Sequence, residues 1–219
     1  MILDKKQLLL YAITDCHWLK DRSLAEETDE ILEAGVTFLQ LREKHKNGEA
    51  LKKEALEVQA VAKKHRVPFV INDYVDLAKE IDADGVHVGQ SDMEYENARR
   101  ILGDDKIIGV SASTLEEAVA ADRAGADYIG VGACFPTSTK ADAEYLSIDD
   151  LRKICNAVSI PVVAIGGINQ DNVCQLKGSG IQGICNISAI YGASDKTQAV
   201  RSLLEKADAV SVDKSNCNK

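Results

Sequence analysis

Eight short apolar runs, rich in Val and Ile, recur along the 219 residues at 8–14, 37–41, 69–71, 85–88, 107–110, 128–131, 161–165 and 183–187. They are apolar throughout instead of alternating with polar side chains. Strands of this kind are covered on both faces, as in a parallel sheet. Amphipathic patterns lie between them: Leu24, Thr28, Ile31 and Leu32; Leu51, Ala55, Val58 and Ala62; Leu115, Ala118 and Val119; Ile148, Leu151, Ile154 and Cys155; Val200, Leu203 and Leu204. Each set marks one stripe of a helix. The segment Ser113-Thr114-Leu115-Glu116 fits a capping box, and Ser147 is placed as an N-cap. Gly35, Gly125 and Gly180 follow helical segments, where a left-handed turn ends a helix.

Eight strand-helix units without a Pro/Gly/Ser-rich linker match the parts list of an α/β fold, a single-domain (β/α)8 TIM barrel over residues 1–210. Residues 211–219 have little apolar content and are expected to form a disordered tail. A doubly wound open sheet is the other arrangement of such units. Against it, the Gly130-Val131-Gly132 segment lacks the third glycine of a dinucleotide fingerprint and follows the sixth strand instead of the first.

A net charge of −9 argues against broad binding to nucleic acid or anionic membranes, and a phosphorylated ligand would need a local basic cluster. No apolar run approaches membrane-spanning length, and the start of the chain reads as a strand, not a signal peptide. The six cysteines include no C-x-x-C pair. These features lead us to expect a reduced cytoplasmic protein, and apolar residues on outer helices leave room for a homo-oligomer.

In a barrel the residues just after each strand converge on one face, where active sites of this architecture are built. The second run ends in Gln40, Arg42 and Lys44, alternating positions whose two cations and amide suit a polyanion. The alternative for the same residues is a solvated charge run neutralised by Glu43. After the third and fourth runs come Asn72, Asp73 and Asp92. Either aspartate alone reads first as a turn or N-cap residue. Together, on neighbouring strands, they could share a hard cation such as Mg²⁺, leaving positions for waters and phosphate oxygens. His87 is a lone strand histidine, read as a core residue or a support behind the site.

Ser111 ends the fifth run, as a hydrogen-bond donor or a turn residue. The loop Phe135-Pro136-Thr137-Ser138-Thr139-Lys140 combines hydroxyls with a cation, a composition that can cradle phosphate. After the seventh and eighth runs, Gly166-Gly167 and Ile187-Ser188 stand where barrels recurrently bind phosphate.

These motifs, QLREK at 40–44, IND at 71–73, GVHVGQSD at 85–92, GVSA at 109–112, FPTSTK at 135–140, IGGI at 165–168 and ISAI at 187–190, resemble those of the thiamine-phosphate synthase family in this order and on these strand ends. The resemblance implies a transferase of thiamine biosynthesis. It would join an aminopyrimidine methyl diphosphate to a thiazole phosphate, releasing diphosphate. It also implies one Mg²⁺ per site on Asp73 and Asp92. Gln40, Arg42, Lys44, Asn72, Ser111 and Lys140 would hold the pyrimidine diphosphate, with Arg42, Lys44, Ser111 and Lys140 catalytic. Thr137, Thr139, Gly167, Ile187 and Ser188 would hold the thiazole phosphate. Two departures bear on the thiazole side: Ala133-Cys134 stands where the family more often has proline and an aliphatic residue, and Asn186 interrupts an apolar strand. A thiazole tautomerase-like barrel, or a binding barrel without catalysis, would need the thiazole phosphate site but not the Mg²⁺-diphosphate site.

Overall fold

The computed structural model describes residues 3–90, 95–137 and 145–211. Within them eight parallel strands close into a barrel in sequence order: β1 (Leu10–Ile13), β2 (Phe38–Leu41), β3 (Phe69–Asn72), β4 (Gly85–Val88), β5 (Ile107–Ala112), β6 (Tyr128–Val131), β7 (Val162–Ile165) and β8 (Gly183–Asn186). Closure is completed by β8 pairing with β1, Tyr11 opposite Cys185. Around the barrel run α1 (Leu24–Ala34), α2 (Gly48–His65), α3 (Val75–Glu80), α4 (Tyr95–Leu102), α5 (Leu115–Ala124), α6 (Ile148–Ala157), the short α7 (Ser188–Tyr191) and α8 (Lys196–Val210). No helix among the described residues is long and apolar enough to cross a membrane. Residues 212–219 of the expected tail lie outside the described residues.

The strands match the apolar runs, with shifts at their ends that have local causes. Ahead of β1, Asp4 accepts from the Lys6 N–H and caps a 3-10 turn at Lys5–Leu8, so the strand begins at Leu10. In the seventh unit the α-helix expected from the repeat is replaced by a 3-10 turn, Val173–Leu176. There the Asn169 side chain accepts from the N–H groups of Asp171 and Asn172, and the Asn172 Oδ1 accepts from the Asn169 N–H. Such side-chain turns compete with helix, and left-handed Gly178 and Gly180 end the segment. The expected capping box of α5 sits one residue later, on Thr114 and Glu117. Glu117 prevails because one of its oxygens accepts from the N–H groups of both Ser113 and Thr114. Ser147 caps α6 as expected.

Two apolar layers result from the alternation of side chains along each strand. Outward residues such as Leu39, Ile71, Val86 and Ile129 pack against the helices, with Ile31, Val58, Ala118 and Leu203 facing them. Inward residues fill the barrel: Leu8, Tyr11, Ile13, Phe38, Val70, Ile107, Tyr128, Val163 and Cys185. Tyr11, Phe38 and Tyr128 meet edge to face, at centroid separations of 4.7 to 5.9 Å. Gly109 makes room for this cluster, because a Cβ there would lie 2.1 Å from the Tyr128 ring. The cluster plugs the barrel below its C-terminal mouth and forms the floor of what lies above.

Candidate active site

Above that floor, at the C-terminal ends of the strands, opens a cavity of about 610 Å³. Its wall includes Gln40, Arg42, Asn72, Asp73 and Ser111 from β2, β3 and β5 and their loops. It also includes Thr137, Gly167, Ile187 and Ser188 from the loops after β6, β7 and β8. Nine of the residues proposed from sequence therefore converge on one cavity. Lys44 is exposed and does not form part of that wall. Asp92, Thr139 and Lys140 lie outside the described residues.

Each side is built by local chemistry. On the β2 side, the buried Thr14 hydroxyl donates to the Arg42 carbonyl at 3.3 Å and accepts from the Arg42 N–H at 2.9 Å. This clip continues the β1–β2 ladder past Leu41 and fixes where the guanidinium emerges. Asn72 donates from Nδ2 to the Asp73 carboxylate. Asp73 itself adopts a left-handed backbone, φ 65°, with its N–H on the His87 carbonyl at 3.0 Å. A non-glycine residue rarely occupies that region, although Asp tolerates it better than most. It turns the chain sharply from β3 toward α3 and leaves the carboxylate in the cavity wall.

On the opposite side Gly166 and Gly167 both have left-handed backbones, and a Cβ on Gly167 would lie 2.3 Å from the Pro136 carbonyl. The absence of a side chain lets the β6 and β7 loops touch. The Gly167 carbonyl accepts from Asn172 Nδ2 at 2.9 Å. Asn186, the polar interruption of β8, donates from Nδ2 to the Ile168 carbonyl at 2.8 Å and so braces the same loop.

Several residues here escaped the sequence reading. Gln90 donates from Nε2 to the Ser111 carbonyl at 2.6 Å. Tyr11 and Tyr128 place their hydroxyls 2.9 Å apart beneath the cavity. Their only sequence signal is a polar-tipped aromatic in each apolar run. Cys16, Glu43 and Glu54 bring a thiol and two carboxylates within 4.8 Å of one another, none in the cavity wall. Burial, then the bond to Glu43, pushes the Cys16 thiol up to about 12.

The family described as thiamine monophosphate synthase matches residues 10–190. The chain belongs to that family. It is 47% identical over 196 residues to the thiamine-phosphate synthase of Ruminiclostridium cellulolyticum, covering 90% of this chain and 93% of the relative. With the enzyme of that name from Clostridium tetani it shares 47% over 194 residues, 89% and 93% of the two chains. The solved thiamine phosphate pyrophosphorylase of Pyrococcus furiosus superposes with a TM-score of 0.87 at 39% identity, covering 94% of this chain and 98% of that one. A geranylgeranylglyceryl phosphate synthase from Thermoplasma acidophilum, at 14% identity and TM-score 0.68, shares the fold alone. Family membership makes the chain a transferase of thiamine biosynthesis, built as the same barrel.

Proposed function

We propose that this chain joins 4-amino-2-methyl-5-(diphosphooxymethyl)pyrimidine to 4-methyl-5-(2-phosphooxyethyl)thiazole, giving thiamine phosphate and diphosphate. The observation that carries this reading is the division of one cavity: Gln40, Arg42, Asn72, Asp73 and Ser111 on one flank, Thr137, Gly167, Ile187 and Ser188 on the other. The first set suits a diphosphate and an aromatic base; the second suits a monophosphate approached by backbone and hydroxyls. The catalytic unit is the barrel of residues 1–210, acting on small molecules in the cytoplasm.

The reaction breaks the bond between the pyrimidine methylene carbon and the diphosphate oxygen, and the electron pair leaves with the oxygen. The thiazole nitrogen lone pair then forms the new C–N bond. No protein nucleophile is needed. The aminopyrimidine, being electron-rich, supports a cation-like methylene before attack, so the protein contributes position and charge stabilisation. Arg42 offsets the charge growing on the diphosphate, Ser111 donates to it, and Lys140, with Lys44 from outside the wall, would add positive charge. Thr137, Thr139 and the Gly167 and Ile187-Ser188 backbone would anchor the thiazole phosphate so that its nitrogen faces the methylene.

Mg²⁺ fits the donor set. Asp73 brings a hard carboxylate oxygen into the same wall as Arg42, and Asn72 orients it. Asp73 and Asp92 would hold the ion, which when bound supplies charge neutralisation of the diphosphate.

The direct test incubates purified protein with both phosphorylated precursors, with and without Mg²⁺, and follows thiamine phosphate and diphosphate. Stoichiometric, Mg²⁺-dependent formation of both is expected. Failure to form product with any divalent metal would overturn the reading in favour of a binding barrel.

A further inference from the structure

Beneath the cavity a chain of hydrogen bonds crosses the barrel from Gln40 to Ser111. Gln40 Nε2 donates to the Tyr11 hydroxyl at 2.7 Å, and Tyr11 and Tyr128 pair at 2.9 Å. The Tyr128 hydroxyl lies 3.0 Å from His87 Nδ1, and His87 Nε2 lies 3.0 Å from Ser111 Oγ. Gln40, Tyr11, Tyr128 and His87 are all buried, and Gln40, His87 and Ser111 reach the cavity wall. Three side chains, from β1, β6 and β4, thus link two residues, on β2 and β5, assigned above to one substrate.

Proton counting gives the chain a direction. The Tyr11 oxygen accepts a hydrogen bond from Gln40, which leaves its own O–H to donate to Tyr128. With Tyr128 donating to a neutral His87, Nδ1 is the accepting nitrogen and the ring proton sits on Nε2. His87 Nε2–H donates to Ser111 Oγ. Ser111 has thereby received a bond on its oxygen and turns its own proton outward. Burial, the largest cause in each case, pushes both phenols well above their usual range, so each keeps the proton this order requires. Reversing the order would make Ser111 donate inward to His87 and present only lone pairs to the cavity.

We propose that Tyr11, Tyr128 and His87 are positioning residues that polarise Ser111 as a hydrogen-bond donor toward the pyrimidine diphosphate and couple it to Gln40. This rests on the function proposed above and adds to it two residues beneath the cavity, Tyr11 and Tyr128, and one in its wall, His87. An anionic leaving group needs a donor, and a serine hydroxyl free to rotate would supply one only part of the time. A donor fixed before the reaction loses no reorganisation energy as charge develops. Chains of this kind also strengthen each bond by polarising the next.

Two measurements test it. In the first, ¹⁵N chemical shifts of labelled histidine, assigned by substituting His17, His45 and His65 in turn, report the His87 tautomer in the unliganded protein. Protonated Nε2 and bare Nδ1 are expected, with the Nδ1 signal moving in Tyr128→Phe; an Nδ1–H tautomer overturns the proposal. In the second, Tyr128→Phe, Tyr11→Phe, Ser111→Ala and the Tyr128→Phe/Ser111→Ala double variant are compared. Tyr128→Phe should lower kcat about tenfold, the scale of losing a support behind a ligand-holding group, with KM for the thiazole phosphate unchanged within about twofold. Tyr11→Phe should act in the same direction. The double variant should be no slower than Ser111→Ala alone, whereas losses that multiply would show independent action and overturn the coupling. If the unaltered protein forms no product, the functional reading fails by itself, and the tautomer still decides the direction of the chain.

Discussion

The Sγ of Cys16 lies 2.9 Å from Oε2 of Glu43, so a thiol on the turn after β1 donates to a buried carboxylate on the loop after β2. The other Glu43 oxygen accepts from the His45 N–H at 2.6 Å. With the Thr14 clip on Arg42, these bonds fasten the segment that carries Arg42 and Lys44 at both of its edges. Glu43, which in sequence looked like a neutralising charge, serves here as an anchor.

Replacing Cys16 by alanine should therefore destabilise the protein by about 0.5–1.5 kcal/mol, the usual net value of one hydrogen bond, and more where Glu43 is left short of a donor. Urea unfolding should show a lower midpoint with an unchanged slope. Cys16→Ser, which keeps a donor, should recover most of the loss.

The same carboxylate gives a pH dependence. Burial pushes Glu43 up, but the Cys16 thiol, the His45 N–H and the nearby Lys46 outweigh it and leave its pKa lowered. A group depressed in the folded state contributes stability above its unfolded pKa, about 4.3 for Glu, and loses it as pH falls through the folded value. Unfolding midpoints measured from pH 6 to pH 3 should fall less steeply in Glu43→Gln than in the unaltered protein at the acid end. Parallel curves would show that Glu43 is not linked to folding.

Thiol reactivity should follow burial. Burial pushes Cys134 up to about 12 and Cys185 well above its ordinary value, and Cys16 is held at about 12 by burial and Glu43. The thiolate is the reactive form, so these three should resist alkylation in the folded protein near pH 7.5. Among the described cysteines, Cys174 is exposed and should be labelled first. Peptide mass spectrometry before and after unfolding checks the order.

The barrel was legible because its strands are apolar on both faces, a pattern with one economical solution once eight of them are counted. The seventh helix was misjudged because nothing in apolar periodicity registers the Asn169 and Asn172 side-chain turns that outcompete it. Strand-end positions could be read from order alone, which is why Gln40, Asn72, Ser111 and Gly167 were named and do share one cavity. The pairing of Tyr11 with Tyr128 could not, since 117 residues separate two aromatics whose meeting depends on inward register and on the missing side chain of Gly109. Cys16 was similarly opaque: its role comes from a carboxylate on the neighbouring strand's loop.

That dependence on Gly109 can be tested. Adding a methyl group by Gly109→Ala would drive Cβ into the Tyr128 ring, which Phe38 and Tyr11 hold from the other side. Overpacking of this kind destabilises by about 1–3 kcal/mol or more. Thermal unfolding should show the loss, and the displaced Tyr128 should also alter the His87 ¹⁵N signals. A variant as stable as the parent, with unaltered signals, would mean that the ring moves aside freely.

Asp73 offers the cleanest way to separate charge from backbone. Its left-handed conformation, φ 65°, is one that asparagine also tolerates, so Asp73→Asn should keep the turn after β3 while removing the negative charge. If Asp73 is a ligand of the divalent ion, binding of Mn²⁺, followed by electron paramagnetic resonance as a stand-in for Mg²⁺, should weaken by about tenfold or more. The melting temperature should stay within about 2 °C of the parent, since surface substitutions compatible with their backbone usually change stability little. Asp73→Ala should weaken the ion equally but also lower stability, because alanine is strained at positive φ. Undiminished Mn²⁺ binding in Asp73→Asn would remove Asp73 from the metal site and leave it as the residue that turns β3 into α3.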